Sequence, residues 1–383
     1  MAKLGELYAI TSGGTPSRKH PEYYKNGNIP WVKTGDLKNI YLSVTDEKIT
    51  VDGLKNSSAR LYPVGTVLLA MYGATIGATS VLEIEAATNQ ACAAFTPRAD
   101  VIPQYLCLFF ESQKSKFIKD AVGGAQPNIS AGYLRKIEIP LPPLDEQRKI
   151  AAVLDKVSNL IAKRRQQLDK LDEMVKARFV EMFGDPVSNP YDWNLKGLLQ
   201  LGDCKNGMNF HSTDAGVNIH CLGVGDFKNL SCISDTSKLP TVSLTDIPSD
   251  EYMLKDGDIV FVRSNGNKAL VGRSLVVYPA TTPTTFSGFC IRFRLNSDEV
   301  KADYLLRVLK TDSIRKKMAG RGANIQNLNQ KILGELQIPV PPLDLQNRFA
   351  SFVEQTEKTK TTISHSLDKL ETLKKALMQE YFG

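Results

Sequence analysis

The sequence has few of the residues from which metal sites and secreted scaffolds are built. Its 383 residues include six cysteines and four histidines, with no C-x-x-C pair. This usage argues against a zinc site and favours a reducing compartment. No signal peptide opens the chain, and no apolar run approaches the ~20 residues that a membrane helix needs. We therefore expect a cytoplasmic protein with no metal site and no membrane segment.

Sequence signatures of catalysis are also missing. There is no G-x-x-x-x-G-K-[ST] phosphate loop. Residues 189–191 read Asn-Pro-Tyr and lack the second proline of the Asn-Pro-Pro-aromatic motif of adenine methyltransferases, so we interpret them as a linker turn. Asp256 and Asp258 flank a glycine, which is far more typical of a turn than of a metal pair. His220 is interpreted as strand packing. We expect a non-catalytic chain.

The net charge of +7 and the isoelectric point near 8.9 make the protein mildly basic. Such a balance is compatible with a polyanionic partner but does not by itself indicate one. The length is enough for two domains with full cores plus connecting helices.

One stretch occurs twice. Residues 139–147 read Ile-Pro-Leu-Pro-Pro-Leu-Asp-Glu-Gln, and residues 338–346 read Ile-Pro-Val-Pro-Pro-Leu-Asp-Leu-Gln. The match continues without a gap and ends in Phe-Gly at 183–184 and at 382–383. A period of roughly 200 residues is too long for a solenoid, so the chain is interpreted as two fused half-proteins.

Each copy predicts a long helix after a proline-rich breaker. Asp145 occupies the position expected of the first helix's N-cap. Apolar residues then recur at alternate steps of four and three, the spacing of a coiled-coil seam, although Thr356, Lys360 and Lys374 interrupt the second copy. The predicted coiled-coil core consists of Ile150, Leu154, Val157, Ile161, Leu168, Leu171, Val175, Phe349, Val353, Ile363, Leu367, Leu370 and Leu377.

The helix lengths predict how the two copies pair. A helix over 144–182 would be about 57 Å long, whereas the roughly 155 residues between the helices make a domain about 40 Å across. Such a domain cannot easily bridge the far ends that a parallel pair would require. We therefore expect an antiparallel pair with one globular domain at each end. The alternative is that both helices lie in the core of one large domain.

The two halves match in order outside the helices as well. Residues 35–40 (Gly-Asp-Leu-Lys-Asn-Ile) correspond to 225–230, and the strand after Gly65 corresponds to that after Gly257. The framework is similar, while the polar loops differ. The expected division of the chain is a mixed α/β domain at 1–143, a helix at 144–184, a second such domain at 185–342 and a second helix at 343–383.

Polar and basic loops are the best candidates for a binding surface. Arg and Lys suit guanine edges and phosphates, and Asn and Gln suit adenine edges. The run 263–268 is the strongest signal, although plain solvent exposure remains an alternative for each residue. The candidate DNA-binding residues are Ser12, Thr15, Arg18, Lys19, Lys33, Thr34, Tyr72, Gln126 and Asn128 in the first half, and Lys205, Asn206, Asn209, His211, Lys228, Arg263, Asn265, Asn267, Lys268, Arg273, Arg321, Asn324, Gln326 and Asn327 in the second.

Taken together, these features resemble the specificity subunit of a type I restriction-modification system. The resemblance covers nearly the whole chain and rests chiefly on the duplicated proline-rich segment, the helix after it and the Phe-Gly ending. Residues 15–17, 29–36 and 126–129 are also similar to that family's first target-recognition domain. In the second half, Leu345 and Asn347 replace Glu146 and Arg148 of the first.

The resemblance implies an α+β protein with two pseudo-symmetric target-recognition domains joined by two long antiparallel coiled-coil helices. Each domain would read half of a bipartite DNA site, and the helices would set the spacer. The partners implied are double-stranded DNA, two methyltransferase subunits and, in the full complex, restriction subunits. S-adenosylmethionine, ATP and Mg would bind to those partners, where the adenine methyltransferase and deoxyribonuclease activities reside.

Two other functions stay open on the sequence alone. One is a coiled-coil scaffold without DNA specificity, and the other is a self-sufficient DNA methyltransferase.

Overall fold

The structure is a computed structural model, and it describes residues 1–123, 127–210, 216–227, 230–319 and 327–383. The chain divides into two compact units. Unit 1 comprises residues 1–166 and 363–383, and unit 2 comprises residues 167–362. Among the described residues, no helix combines the length and the apolar character that crossing a membrane requires.

Unit 1 is built from short strands, four short or medium helices and parts of two long ones. The strands are β1 (Ala2–Lys3), β2 (Thr11–Ser12), β3 (Ile29–Val32), β4 (Tyr41–Leu42), β5 (Glu47–Ile49), β6 (Leu61–Tyr62), β7 (Val67–Ala70), β8 (Thr79–Leu82), β9 (Ala86–Thr88), β10 (Cys92–Phe95) and β11 (Glu138–Ile139). The helices are α1 (Leu4–Leu7), α2 (Val51–Lys55), α3 (Pro103–Asp120), α4 (Ala131–Arg135) and α5 (Leu144–Phe183), the last of which runs on into unit 2.

Unit 2 has the same kinds of element. Its strands are β12 (Asn194–Gly197), β13 (Gly202–Asn206), β14 (Val217–Leu222), β15 (Cys232–Ile233), β16 (Thr241–Leu244), β17 (Asp258–Val262), β18 (Ser274–Val277), β19 (Thr284–Phe286), β20 (Cys290–Leu295) and β21 (Gln337–Val340). Its helices are α6 (Leu198–Leu201), α7 (Ala302–Lys310), α8 (Asp312–Ala319), α9 (Gln330–Gly334) and α10 (Leu343–Phe382), the last of which ends in unit 1.

The five-stranded sheets of the two units share one topology. In unit 1 a five-stranded sheet has the order β2-β10-β7-β8-β4, and in unit 2 the order is β13-β20-β17-β18-β15. A second sheet, β5-β3-β9-β6 or β16-β14-β19, contains one parallel pair in each unit, β3 with β9 and β14 with β19. The duplication predicted from the sequence is therefore a duplication of whole folded units.

The central strands read as continuous apolar runs because both of their faces are buried. In β7, Val67 and Leu69 face the core that contains the helices, whereas Leu68 and Ala70 face the second sheet. In β17 the alternation is repeated: Ile259 and Phe261 pack on the helical side, whereas Val260 and Val262 pack on the side of the second sheet. Each five-stranded sheet is thus the middle layer of three.

Both long helices begin directly after the proline-rich breaker, as predicted, but the N-cap prediction is wrong. Asp145 lies inside the first turn of α5 rather than at its cap. The carbonyl of Pro143 already accepts hydrogen bonds from the amides of Glu146 and Gln147, at 2.9 and 3.1 Å. Proline fixes φ without hindering its own carbonyl, so it can close the turn. The Asp145 carboxylate still faces the positive end of the helix dipole.

The ends of the long helices confirm the antiparallel pairing. In unit 1, Phe382 near the end of α10 packs its ring on Tyr105 at 5.2 Å and shares a core with residues at the start of α5. In unit 2, Phe183 at the end of α5 packs on Tyr304 at 4.8 Å and on Phe349 near the start of α10 at 5.5 Å. The end of each helix therefore meets the beginning of the other.

The predicted seam residues are all buried or half-buried, and the polar residues that interrupt the second copy have partners. Thr356 is 4% exposed, and its hydroxyl donates to the carbonyl of Phe352 at 2.9 Å. Lys360 pairs with Asp172 on α5 at 2.9 Å within unit 2. Lys374 pairs with a glutamate of α3 in unit 1. Of these contacts, the Lys360–Asp172 ion pair joins the two long helices, the Thr356 hydroxyl bonds within α10, and Lys374 joins α10 to α3.

A fully buried glutamine holds the start of each long helix. In unit 1 the Gln147 carbonyl accepts the Ile102 amide at 2.9 Å, and its NH₂ donates to the carbonyls of Asp100 and Pro142, each at 2.9 Å. In unit 2, Gln346 makes the same three bonds at 2.8 Å to the equivalent backbone positions. The duplicated segment thus fixes each helix to the loop that precedes α3 or α7.

Replacing Gln147 by alanine is predicted to loosen this joint. The change leaves three partly buried backbone groups without this partner, which costs about 2–4 kcal/mol. We expect the hydrogen of the Ile102 amide to exchange with solvent faster by the factor that this free energy corresponds to, about tenfold for each 1.4 kcal/mol. Hydrogen exchange with mass spectrometry measures the rate. Gln166→Ala, at an exposed position on the same helix, is the matched control and should leave that exchange rate unchanged. Equal protection in both variants would contradict the role of the glutamine.

Candidate nucleic-acid interface

The strand topology of unit 1 brings five polar segments to one edge. Because β3 and β9 are parallel, the segments after them lie side by side. The end of β2 and the end of β7 both flank the start of β10, since β10 is antiparallel to both. We call this edge rim 1, and it is formed by residues 12–16, 33–36, 72–75, 89–91 and 127–128.

Close packing fixes the segment of rim 1 that follows β2. The Gly14 amide donates to the carbonyl of Thr88 at 2.9 Å, and the Trp31 indole donates to the carbonyl of Gly14 at 3.1 Å. At the tip, the Thr15 hydroxyl donates to the side-chain oxygen Oε1 of Gln90 at 2.6 Å. The backbone approaches so closely that a Cβ on Gly13 would lie 1.9 Å from the Thr88 carbonyl.

The segment after β7 is held by a short antiparallel pairing. Tyr72 pairs with Asn128, and the Gly73 amide donates to the carbonyl of Pro127 at 2.8 Å. A cleft of about 510 Å³ opens between this segment and its neighbours. Its lining consists of Thr34, Tyr72, Gly73, Ala74, Thr75, Asn89, Gln90 and Ala91. Hydroxyl and amide groups thus converge on one concave surface.

Two candidate cations, Lys33 in rim 1 and Arg18 outside its segments, are held by one carboxylate. Glu47 accepts from Arg18 at 2.6 Å and from Lys33 at 2.7 Å. The hydrogen bond from Lys33 holds the pKa of Glu47 below its usual range, and the same bond raises the pKa of Lys33. Glu47 and Lys33 therefore both stay ionised at neutral pH. The Arg18 guanidinium also stacks 4.0 Å from the Tyr24 ring centroid, so its position is fixed.

Unit 2 carries the equivalent edge, which we call rim 2. Ser264 pairs with Asn327 as Tyr72 pairs with Asn128, and the Leu328 amide donates to the carbonyl of Arg263 at 2.8 Å. A Cβ on Gly207 would lie 2.0 Å from the Ser287 carbonyl, which repeats the close approach of the first rim. Rim 2 is formed by residues 206–209, 223–226, 264–270, 287–289 and 327.

Asparagines shape the longest loop of rim 2. The side-chain oxygen of Asn265 accepts the Asn267 amide at 2.8 Å, and that of Asn267 accepts the Ala269 amide at 3.1 Å. These are Asx turns, which fix a loop without regular structure. Next to the loop, Arg263 donates from Nη1 to the carbonyl of Gly288 at 3.3 Å.

Most of the candidate residues that the structure describes lie on or beside the two rims. Lys205 and Lys19 lie just outside the rim segments. In unit 2, Lys205 pairs with Glu251 at 2.7 Å and lies over the Tyr252 ring, one residue before rim 2. In unit 1, Lys19 lies exposed beyond the rim 1 segments. The candidates outside the described residues are Gln126, His211, Lys228, Arg321, Asn324 and Gln326, and the side chain of Lys268 is likewise not described.

Sequence reasoning missed the turns that precede β10 and β20. Asn89 and Gln90 line the rim 1 cleft, and residues 287–289 take the same place in rim 2. The available signal was a polar pair, Asn-Gln, between two buried apolar strands. Among the described residues, no group of three or more His, Cys, Asp and Glu side chains is placed to hold a metal ion.

Comparison with known proteins identifies the family. The model of the type I restriction modification DNA specificity domain matches residues 1–173 and 192–374. The MjaIX specificity subunit of Methanocaldococcus jannaschii is 27% identical over 375 residues, covering 92% of this chain and 85% of that protein. The StySPI specificity subunit of Salmonella potsdam is 23% identical over 389 residues, covering 94% and 83%. The chain belongs to the family of type I restriction-modification specificity subunits.

Solved structures show the same fold. A chain from a structure of an assembled type I R-M system superposes with a TM-score of 0.65 at 17% identity, covering 100% of this chain and 96% of that one. The S subunit of M. genitalium gives a TM-score of 0.53 at 15% identity, covering 100% and 95%. The expected α+β architecture is therefore confirmed.

The close approach at Gly13 gives a structural prediction for rim 1. Gly13→Ala places a methyl group against the Thr88 carbonyl and should force the loop outward, at a cost of about 1–3 kcal/mol. Gly35→Ala is the matched control, because a Cβ there meets no atom within 4 Å. We expect thermal unfolding of the first variant at a lower temperature and of the second at the wild-type temperature. Equal melting of the two variants would contradict the close packing of this loop.

Proposed function

We propose that each unit reads one half of a bipartite duplex-DNA site through its rim. The observation that carries this proposal is the equivalent position of rim 1 and rim 2 in two units of the same topology. The rims differ in side chains: rim 1 has Thr34 and Tyr72, whereas rim 2 has Asn265, with Arg263 directly beside it. One scaffold can therefore present two different sets of donors and acceptors to base edges.

The basic residues around rim 1 suit the phosphate backbone. Arg18 and Lys33 are fixed in place, although Glu47 offsets part of their charge. Cations that are offset in this way add less to non-specific DNA binding, since phosphate neutralisation supplies most of that affinity. In this proposal the side chains of the rim supply the specificity, and partner subunits supply further affinity.

The two long helices set the distance between the half-sites in this proposal. Each helix has 40 residues, about 60 Å at 1.5 Å per residue, and runs from one unit into the other. Their exposed faces offer docking surfaces for two methyltransferase subunits, and restriction subunits would join in the full complex. The chain would supply only the DNA sequence specificity, while S-adenosylmethionine, ATP and Mg would bind to the partner subunits.

Two measurements separate this proposal from its alternatives. A gel-shift with random duplexes, with and without methyltransferase subunits, would show no specific shift for a simple scaffold. Calorimetry of the isolated chain with S-adenosylmethionine would give measurable heat only for a self-sufficient methyltransferase.

The gap between the half-sites is predicted to follow helix length. Inserting one heptad into each long helix keeps the seam in register and adds about 10.5 Å, or about three base pairs. Sequences selected from random duplexes by the complex with its methyltransferase subunits should keep both half-sites and lengthen the gap. An insertion of matched length in the loop around Ile247, a residue that is 72% exposed, is the control. A constant gap in the heptad variant would refute the spacer role.

Reading by the two rims is predicted to be modular. Arg263→Ala with Asn265→Ala should reduce discrimination at one half-site by roughly tenfold or more and leave the other unchanged. Thr34→Ala with Tyr72→Ala is the reciprocal variant and should affect only the other half-site. Competition binding with duplexes mutated in one half at a time measures both effects. Equal losses at both halves in either variant would contradict modular reading.

A further inference from the structure

Rim 2 presents a large apolar side chain to solvent. Phe289 is 61% exposed, the largest value for any aromatic side chain among the described residues. Leaving a phenylalanine ring in water forgoes the free energy of its burial, about 1.5–3 kcal/mol. An exposed aromatic ring in the middle of a polar surface is typical of a contact that is completed by a partner.

The backbone of Phe289 is held firmly. Its carbonyl accepts the Arg263 amide at 2.7 Å, and its amide donates to the Ser287 hydroxyl at 3.3 Å. The next residue, Cys290, is fully buried at the start of β20. The ring is therefore displayed by a fixed turn between two sheet strands.

Hydrogen-bonding side chains surround this turn. Arg263 donates to the carbonyl of Gly288, and a Cβ on Gly288 would lie 2.0 Å from the side-chain oxygen of Asn209. In unit 1 the equivalent position, one residue before β10, is Ala91. An aromatic ring at this position is thus present in rim 2 and absent from rim 1.

We propose that Phe289 reads the 5-methyl group of a thymine in the major groove of the half-site that unit 2 recognises. This inference rests on the proposed function. The side chains beside the ring suit base edges that carry hydrogen-bond donors and acceptors, and the thymine methyl is the apolar group on those edges. A ring held at a fixed place among polar groups distinguishes thymine from every base that lacks the methyl.

The test uses deoxyuridine, which differs from thymidine in the duplex only by this methyl group. The complex of the chain with its methyltransferase subunits is titrated with duplexes in which each thymine of the half-site is replaced singly. One replacement should weaken wild-type binding about fourfold, the worth of one buried methyl group. Phe289→Ala should bind the thymine and deoxyuridine duplexes equally, and Phe289→Leu should retain part of the difference. Tyr191→Ala, an exposed aromatic outside the rim, is the control and should discriminate like wild type.

The outcomes separate two failures. If the complex binds no duplex specifically, the proposed function is wrong. If it binds specifically but no thymine is sensitive, or if Phe289→Ala discriminates like wild type, the inference is overturned and DNA reading stands. If Phe289→Ala instead loses a DNA bend seen by gel mobility, without any change at deoxyuridine, the ring is a wedge between base pairs and methyl reading is overturned.

Discussion

The exchange of helix ends is the constraint on which the rest of the structure depends. Each long helix is fixed at its start by a buried glutamine, Gln147 or Gln346, and at its end by a buried phenylalanine, Phe183 or Phe382. The start and the end belong to different units. Neither unit can complete its core without a helix that begins in the other, so the duplicated segment is a structural joint.

This arrangement leaves the rims free to vary. The helical layer packs on one face of each five-stranded sheet, and the rims lie where strands β2, β7 and β9, or their equivalents, end. Core packing therefore fixes the position of each rim, while exposed rim side chains such as Thr15 lie outside the core. Loops on a rigid scaffold are the usual place for binding residues. The same sheet can carry Tyr72 in one unit and Ser264 in the other without repacking.

Much of the fold follows from the sequence. The repeat, the seam from Ile150 to Val175 and the buried strand after Gly65 are periodic patterns that need no tertiary information. The antiparallel pairing follows from chain length. The prediction that Asp145 is the N-cap was wrong because a proline carbonyl can close the first turn of the helix. Composition does not reveal this local detail.

The site was less accessible to such reasoning. Nothing in the residue type separates Gln147, which is fully buried, from the exposed Gln166 on the same helix. The pairing of Arg18 and Lys33 with Glu47 joins residues that are distant in the chain, and a loop cation looks the same whether it is paired or not. Partners of this kind are set by strand order, which single-sequence patterns do not determine.

The central claim is that one chain recognises two separated half-sites in duplex DNA. Mapping methylated adenines across the genome, in cells with and without this chain, tests that claim most directly. The account predicts a bipartite motif with a constant gap that is methylated only when the chain is present. Methylation that is unchanged without the chain, or a single uninterrupted motif, would contradict it.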